Sequence, residues 1–411
     1  MSRIVILGAG TGGTIMANKL RKALDSSWSI TIIDEHRTHY YQPGFLFIPF
    51  GIYQRQDVQK SKANFIPPGV DFVLSKIEKI LPKENNVLLS DGKKISYDIL
   101  IVATGVRTVP SETEGLTGSL WNEQVFQFYT IEGALALEKF FKSWEGGDLV
   151  LNIADMPIKC PVAPLEFVML ADSYFVEKGI RDKVNIKFVT PLSAAFTKPI
   201  SARVLGEMLK DKNIEVITDF YIEKLDNENK KIFSYDEKEV SFDCLVSIPV
   251  HKGADYLQDS DIADDMNFVR VDKHTLQSVS YDNIFALGDA TNLPTSKAGS
   301  VVHFSSDILF ENIMCKIEER ELSAKFDGHA NCYIESGQGK GVLIDFNYST
   351  EPLPGKYPMP GIGPFGLLRQ TKVNHYGKLI FRWMYWHMIL KGKEMPIETL
   401  MSMAGKEKIN V

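Results

Sequence analysis

Short apolar runs alternate along this chain with longer amphipathic stretches. Residues 4–7, 29–34, 97–105, 148–153, 184–189, 215–218, 242–248 and 283–287 are dominated by β-branched and other apolar side chains. Continuous rather than alternating hydrophobicity marks strands buried on both faces of a parallel sheet. Helical patterns fall between them, at about 14–24, 165–178, 201–209 and 300–320. The alternation predicts an α/β fold with two doubly wound, Rossmann-like domains. Short strands are expected within 71–80 and at 86–89, with Asp91 and Gly92 at a hairpin turn, and residues 326–346 read as two strands. The Pro- and Gly-bearing stretch 110–118 places a linker after the first unit, and the acidic stretch 253–265 reads as a solvated connection. The expected organisation is 1–112, 113–265, a return to the first unit over 266–350, and a distinct tail over 351–411.

The first turn carries the clearest chemistry. Gly8, Gly10 and Gly13 form G-x-G-x-x-G directly after the first apolar run and before a helix. The first glycine permits the tight turn, the second lets the backbone approach a pyrophosphate, and the third lets helix pack on strand. The helix then points its N-terminal N–H groups at the phosphates. Asp34 ends the second run about 20 residues further on, where a carboxylate binds a ribose hydroxyl. The loop at Pro43 and Gly44 follows this unit and could pass over a bound ligand. In the second unit the equivalent turn has no such glycines. It reads Lys159-Cys160-Pro-Val-Ala-Pro-Leu-Glu166, with Pro157, Pro161 and Pro164 crowding it. No nicotinamide site is expected there.

Composition narrows the classes. Apolar residues make up 44% and charged residues 24%, ordinary for a globular protein, and a net charge of −6 argues against nucleic-acid binding. Four cysteines are too few for a disulfide scaffold. No signal peptide or membrane-spanning run is expected, and no metal-ligand cluster is evident. The tail differs: from 352 to 393 it has no Asp or Glu but seven Lys and Arg, interleaved with Trp, Tyr, Phe and Leu. Such a pattern predicts an amphipathic helical segment lying in a membrane interface.

The cysteines differ in setting. Cys244 lies in an apolar run and Cys315 in a helix, both positions for inert core thiols. Cys160 follows Lys159 and opens a turn before a helix, where dipoles and a cation lower a thiol pKa. Glu166, six residues on, reads either as a general base raised by burial or as a first-turn glutamate stabilised by the helix dipole.

Taken together, the first turn, the strand ending Thr104-Gly105 and the segment Gly288-Asp289-Ala290 resemble the flavoprotein disulfide reductases. Four further stretches resemble the sulfide:quinone oxidoreductases within them: 159–166 around Cys160, 293–300 around Lys297, 328–333 around Cys332, and the basic aromatic tail at 381–392. The resemblance implies FAD as cofactor. It implies that Gly8, Gly10, Gly13, Asp34, Pro43, Thr104, Gly105, Gly288, Asp289 and Lys297 bind it, with Asp289 on the ribitol hydroxyls. Cys160 and Cys332 become a redox pair, Cys332 the one beside the flavin, with Glu166 as base. Chemistry needs such a pair, because a disulfide is an electrophile for HS⁻ and the released thiolate can pass two electrons to a flavin. A membrane quinone is the implied acceptor, with Phe365 and Tyr376 as aromatic candidates to stack on it. The expected setting is peripheral on a membrane, and a homo-oligomer is left open. Many members carry a third cysteine before a Thr near the domain boundary; here Tyr129 stands in that place. Two rivals remain at this point: a type II NADH:quinone dehydrogenase, which would need glycines near 150–160, and a flavin-bound assembly subunit, which would not need both cysteines.

Overall fold

The computed structural model describes residues 2–258, 260–359, 361–394 and 398–407; the remaining tail positions of the expected membrane segment, among them 395–397 and 408–411, lie outside the described residues. Two five-stranded parallel sheets form the body. Across the first the order is Ile284–Ala286, Ile99–Val102, Ser2–Leu7, Trp28–Asp34, Val70–Leu74. The second runs Val125–Phe126, Cys244–Ile248, Gly147–Ile153, Val184–Val189, Ile214–Ile217. Ile4, Val5, Ile6 and Leu7 are all buried, as a strand covered on both faces requires. The expected helices form at Thr11–Ala23, Ala163–Glu177, Pro199–Asp211 and Gly299–Ile317. The chain crosses between the units at Arg107–Thr108 and His251–Lys252, and these two crossings pair as antiparallel strands. The return therefore comes ahead of residue 265.

A third sheet carries the site. Its order is Ala330–Gly337, Lys340–Phe346, Gly363–Leu367, Gly355–Met359. The last two strands are a hairpin, where the tail's composition predicts an amphipathic helical segment. Residue 350 thus falls between strands of one sheet and does not separate two bodies. The strand Ala330–Gly337 packs against helix Ala163–Glu177 and against the C-terminal helix Lys372–His387. Ala163–Glu177 is buried along most of its length, the signature of a helix inside a core. Thr371 starts the C-terminal helix by accepting the Asn374 N–H. One side of that helix buries Asn374, Tyr385 and Trp386. The other exposes Val373, Tyr376, Ile380 and Trp383, at helical spacing. No described helix is long and apolar enough to cross a membrane.

Candidate active site

A cavity of about 460 Å³ opens along the carboxyl ends of the first sheet and runs to the C-terminal helix. Its far end is the glycine turn. Gly8 has φ +93°, and a Cβ there would lie 2.6 Å from the Ala103 carbonyl oxygen. A Cβ on Gly13 would meet the Gly8 carbonyl oxygen at 1.8 Å, so helix and strand touch through bare backbone. At Gly10 a Cβ would meet nothing, because that position faces the cavity. Helix Thr11–Ala23 begins at Gly10 with no side-chain cap, which leaves its first N–H groups for a ligand.

Asp34 lines the cavity but is already engaged. Its Oδ2 accepts the Ala9 N–H at 2.7 Å, and its Oδ1 pairs with Lys62. Pro43, Thr104, Gly105, Gly288, Asp289 and Lys297 also line the cavity. Burial pushes the Asp289 carboxyl up, with Lys297 and Lys159 opposing. Burial pulls the Lys297 ammonium down to about 8; its Nζ donates to the carbonyls of Asp289 and Thr291.

Sequence reasoning missed His39. It is buried against the cavity, its Nε2 is 2.7 Å from the Tyr385 hydroxyl, and its Nδ1 has no partner among the described residues. Burial, with help from Lys62, pulls its pKa down to about 4. The Tyr385 hydroxyl also lies 2.7 Å from Thr11 Oγ1, which ties the C-terminal helix to the glycine turn.

At the other end the structure gathers both candidate cysteines. Cys160 has φ +50°, and its N–H donates to the Lys297 carbonyl at 2.7 Å. The turn without glycines is therefore drawn into the first unit, through a bridge between Lys159 and Lys297. Tyr129, in the place of the third cysteine, donates its hydroxyl to the Cys160 carbonyl at 3.4 Å. All four cysteines are thiols. Cys332 stands behind the cavity wall, buried, close enough that the Cys160 charge raises its pKa further after burial. The low thiol pKa expected for Cys160 is not found: burial first, then the Glu166 charge, push it up to about 11, with Lys378 opposing. The cation at Lys159 is engaged elsewhere, its Nζ donating to Gln42 Oε1 at 2.6 Å.

Glu166 and Lys378 join these thiols. Lys378 Nζ is 2.7 Å from Glu166 Oε1 and 2.8 Å from the Tyr333 carbonyl oxygen. The Glu335 N–H donates to the same Glu166 oxygen at 2.9 Å. Burial disfavours charge on Lys378, yet Glu166, Cys160 and Glu335 together hold its pKa above the ordinary lysine range. Burial raises Glu166, against Lys378. The tail's composition had assigned Lys378 to a membrane face, but it is a buried partner of the site. Arg382 likewise turns inward, 2.9 Å from Asp57 and over the Tyr53 ring.

The two quinone candidates are not brought to this cavity. Phe365 packs edge-on against Tyr333 with centroids 5.7 Å apart, and Tyr376 is 59% exposed. The C-terminal helix presents Phe381 and Tyr385 instead. No group of His, Cys, Asp and Glu that could hold a metal exists among the described residues.

Glycine turn, Thr-Gly and Gly-Asp strand ends along one cavity, with the Cys160 thiol on its wall and Cys332 behind it, define a flavoprotein of the disulfide-oxidoreductase class. The pyridine nucleotide-disulphide oxidoreductase family matches residues 2–143. The mitochondrial sulfide:quinone oxidoreductase of Dictyostelium discoideum is 31% identical over 418 residues, covering 100% of this chain and 90% of that one. The mouse mitochondrial enzyme is 28% identical over 400 residues, covering 95% and 86%. Among solved structures, the Aquifex aeolicus sulfide:quinone oxidoreductase superposes with a TM-score of 0.79 at 22% identity, covering 96% and 92%. The chain belongs to the sulfide:quinone oxidoreductase family, and its cofactor is FAD. The residues present fit that group: the Gly10 side of the turn is open, the helix terminus is uncapped, and the His39 Nδ1 lacks a partner.

Proposed function

We propose that this protein oxidises sulfide at Cys160 and Cys332 and passes the electrons through FAD to a membrane quinone. The observation that carries the reading is the placement of both thiols around one buried Glu166–Lys378 pair at the end of the cavity.

In this reading Gly8, Gly10 and Gly13 cradle the FAD diphosphate with the helix terminus, and Asp34 stands at the adenosine ribose. Asp289 holds the ribitol, while Pro43, Thr104, Gly105, Gly288 and Lys297 wall the ring. When bound, FAD supplies a two-electron acceptor. The protein supplies the rest. HS⁻ attacks one sulfur of the oxidised Cys160–Cys332 pair, a new S–S bond forms, and the old one breaks. One cysteine becomes a persulfide and the other a thiolate, beside the Lys378 ammonium, which stabilises the new charge. Glu166 is the group placed to take the proton of H₂S, since burial raises its pKa.

Phe381, on the inner side of the C-terminal helix, is the aromatic group we assign to the quinone, while Tyr385 is held at the glycine turn by Thr11 and His39. Val373, Tyr376, Ile380 and Trp383 on its outer side, with Ile362 on the hairpin 75% exposed, form the membrane-facing surface. The test is anaerobic mixing of the purified protein with sulfide, which bleaches the flavin, followed by decylubiquinone, which restores it. NADH is the control and leaves the colour unchanged. A flavin that NADH bleaches and sulfide does not would overturn the reading.

A further inference from the structure

The two halves of the C-terminal helix have different moorings. The first half is fixed to the third sheet and to the second unit. Asn374 Oδ1 accepts the Gly366 N–H at 3.2 Å, Asn374 Nδ2 donates to the Gly366 carbonyl at 2.8 Å, and Lys378 is held by Glu166. The second half rests on the first unit. The Tyr385 hydroxyl lies 2.7 Å from Thr11 Oγ1 and 2.7 Å from His39 Nε2. The Trp386 ring stacks on Phe65 with centroids 5.4 Å apart. One turn further on, Asn18 Nδ2 donates to the Leu390 carbonyl at 3.1 Å. Gly392, with φ +60°, then passes so close that a Cβ there would lie 3.3 Å from the Asn18 Cβ.

These second moorings fall on the flavin site itself. Thr11 is the first residue of the helix that begins, uncapped, at Gly10, and both Thr11 and His39 line the cavity. Lys378, Phe381 and Tyr385 line it too. Positions spaced i, i+3 and i+7 share one stripe of a helix, and at 1.5 Å per residue this stripe is about 10 Å long. It runs from Lys378, at the thiol end of the cavity, to Tyr385, at the glycine turn. The helix therefore lies along the cavity as a wall. Its attachment at the diphosphate end is a single phenol hydroxyl shared between Thr11 and His39, backed by Trp386 outside the cavity.

We propose that the second half of this helix is a clasp that retains FAD, with the Tyr385 hydroxyl as its catch. FAD enters and leaves when residues 381–391 lift from the first unit, while the first half, moored to the third sheet, stays in place. FAD meets the whole stripe only when the clasp is closed. It therefore favours closure, and closure in turn slows its release. Tyr385 is a positioning residue in this scheme, acting through the helix it holds. The inference rests on the FAD site alone, so failure of the sulfide reading or of the quinone reading leaves it standing.

The experiment uses the FAD-loaded, full-length protein and two readouts that need no turnover. FAD release after dilution is followed by the rise of free-flavin fluorescence. Amide hydrogen exchange of peptides covering 372–378 and 381–391 is read by mass spectrometry on the same samples. Tyr385→Phe keeps the ring and removes only the hydroxyl. Its release of FAD should quicken about tenfold, the weight of one buried hydrogen bond. Exchange across 381–391 should quicken with it, and exchange across 372–378 should keep the parent value. Trp386→Leu, whose side chain does not line the cavity, should quicken both release and exchange in the same way. Parent-like release in Tyr385→Phe overturns the clasp. Faster release without faster exchange across 381–391 also overturns it, because Tyr385 then touches the flavin and moors nothing. Faster exchange across both halves reports a general loosening of the helix and overturns a clasp confined to its second half.

Discussion

Lys378 and Glu166 are 212 residues apart in sequence and 2.7 Å apart in space, and between them they join the C-terminal helix to the buried helix of the second unit. Lys378→Met leaves the Glu166 carboxylate buried and unpaired, at a cost of about 3–5 kcal/mol. Lys378→Met with Glu166→Gln should regain much of that loss, because no charge is then stranded. Chemical denaturation of the two single variants and the double variant gives the coupling. Independent, additive losses would show that the pair does not join the two helices.

The same pair sets the reactivity of Cys160. Burial and the Glu166 charge raise its pKa to about 11, and Lys378 lowers it. In reduced enzyme, alkylation of Cys160 by iodoacetamide should therefore be slow at pH 7 and climb until about pH 11. Glu166→Gln removes a raising charge and should move the curve to lower pH. Lys378→Met removes the opposing charge and should move it to higher pH. Mass spectrometry of the labelled peptide reads both, and a shift of either curve in the opposite direction contradicts the assignment.

Cys160→Ser and Cys332→Ser should each slow flavin bleaching by sulfide by at least about a hundredfold, and the double variant should lose little more, since groups acting as a unit are non-additive. Cys244→Ala and Cys315→Ala, in core positions, should turn over like the parent. Stopped-flow absorbance at the flavin band measures all of them.

Gly10→Val fills space that is open in the protein and needed by a diphosphate. The variant should purify folded and colourless. Gly13→Val would drive a side chain into the Gly8 carbonyl and should not fold at all. A yellow Gly10→Val protein would falsify the placement of FAD at this turn.

Ile380→Ser with Trp383→Ser removes two of the exposed apolar side chains of the C-terminal helix. Liposome binding should weaken by about tenfold or more, since each large apolar side chain gains roughly 1.5–3 kcal/mol on full burial. Bleaching by sulfide should stay at the parent rate. Co-sedimentation with vesicles measures the first and stopped-flow absorbance the second.

The sheets, their connecting helices and the glycine turn were legible in sequence because each rests on local pattern: continuous apolar runs, helical periodicity, glycines at fixed spacing. Lys378, His39 and Glu335 were not. Their roles arise where a strand and two helices from distant parts of the chain meet, and no local spacing records that meeting. Lys378 was misplaced for a related reason. Composition assigns a cation among aromatics to an interface, whereas here Glu166 draws it into the core. The low pKa expected for Cys160 rested on its neighbour Lys159 and the following helix. Burial and a carboxylate six residues on outweighed them.

The sheet that holds Cys332 also holds the C-terminal hairpin, with Leu343 paired to Leu367. The strand of Cys332 and the strand Gly355–Met359 of the hairpin are thus the two edges of one plate. A tail transplanted from a relative would arrive without the strands that complete its hydrogen bonds, and removing the tail would strip the plate from the thiol it supports. Exchange of this C-terminal surface between relatives therefore requires moving the strands from Ala330 onward and the helix Lys372–His387 as a single cassette.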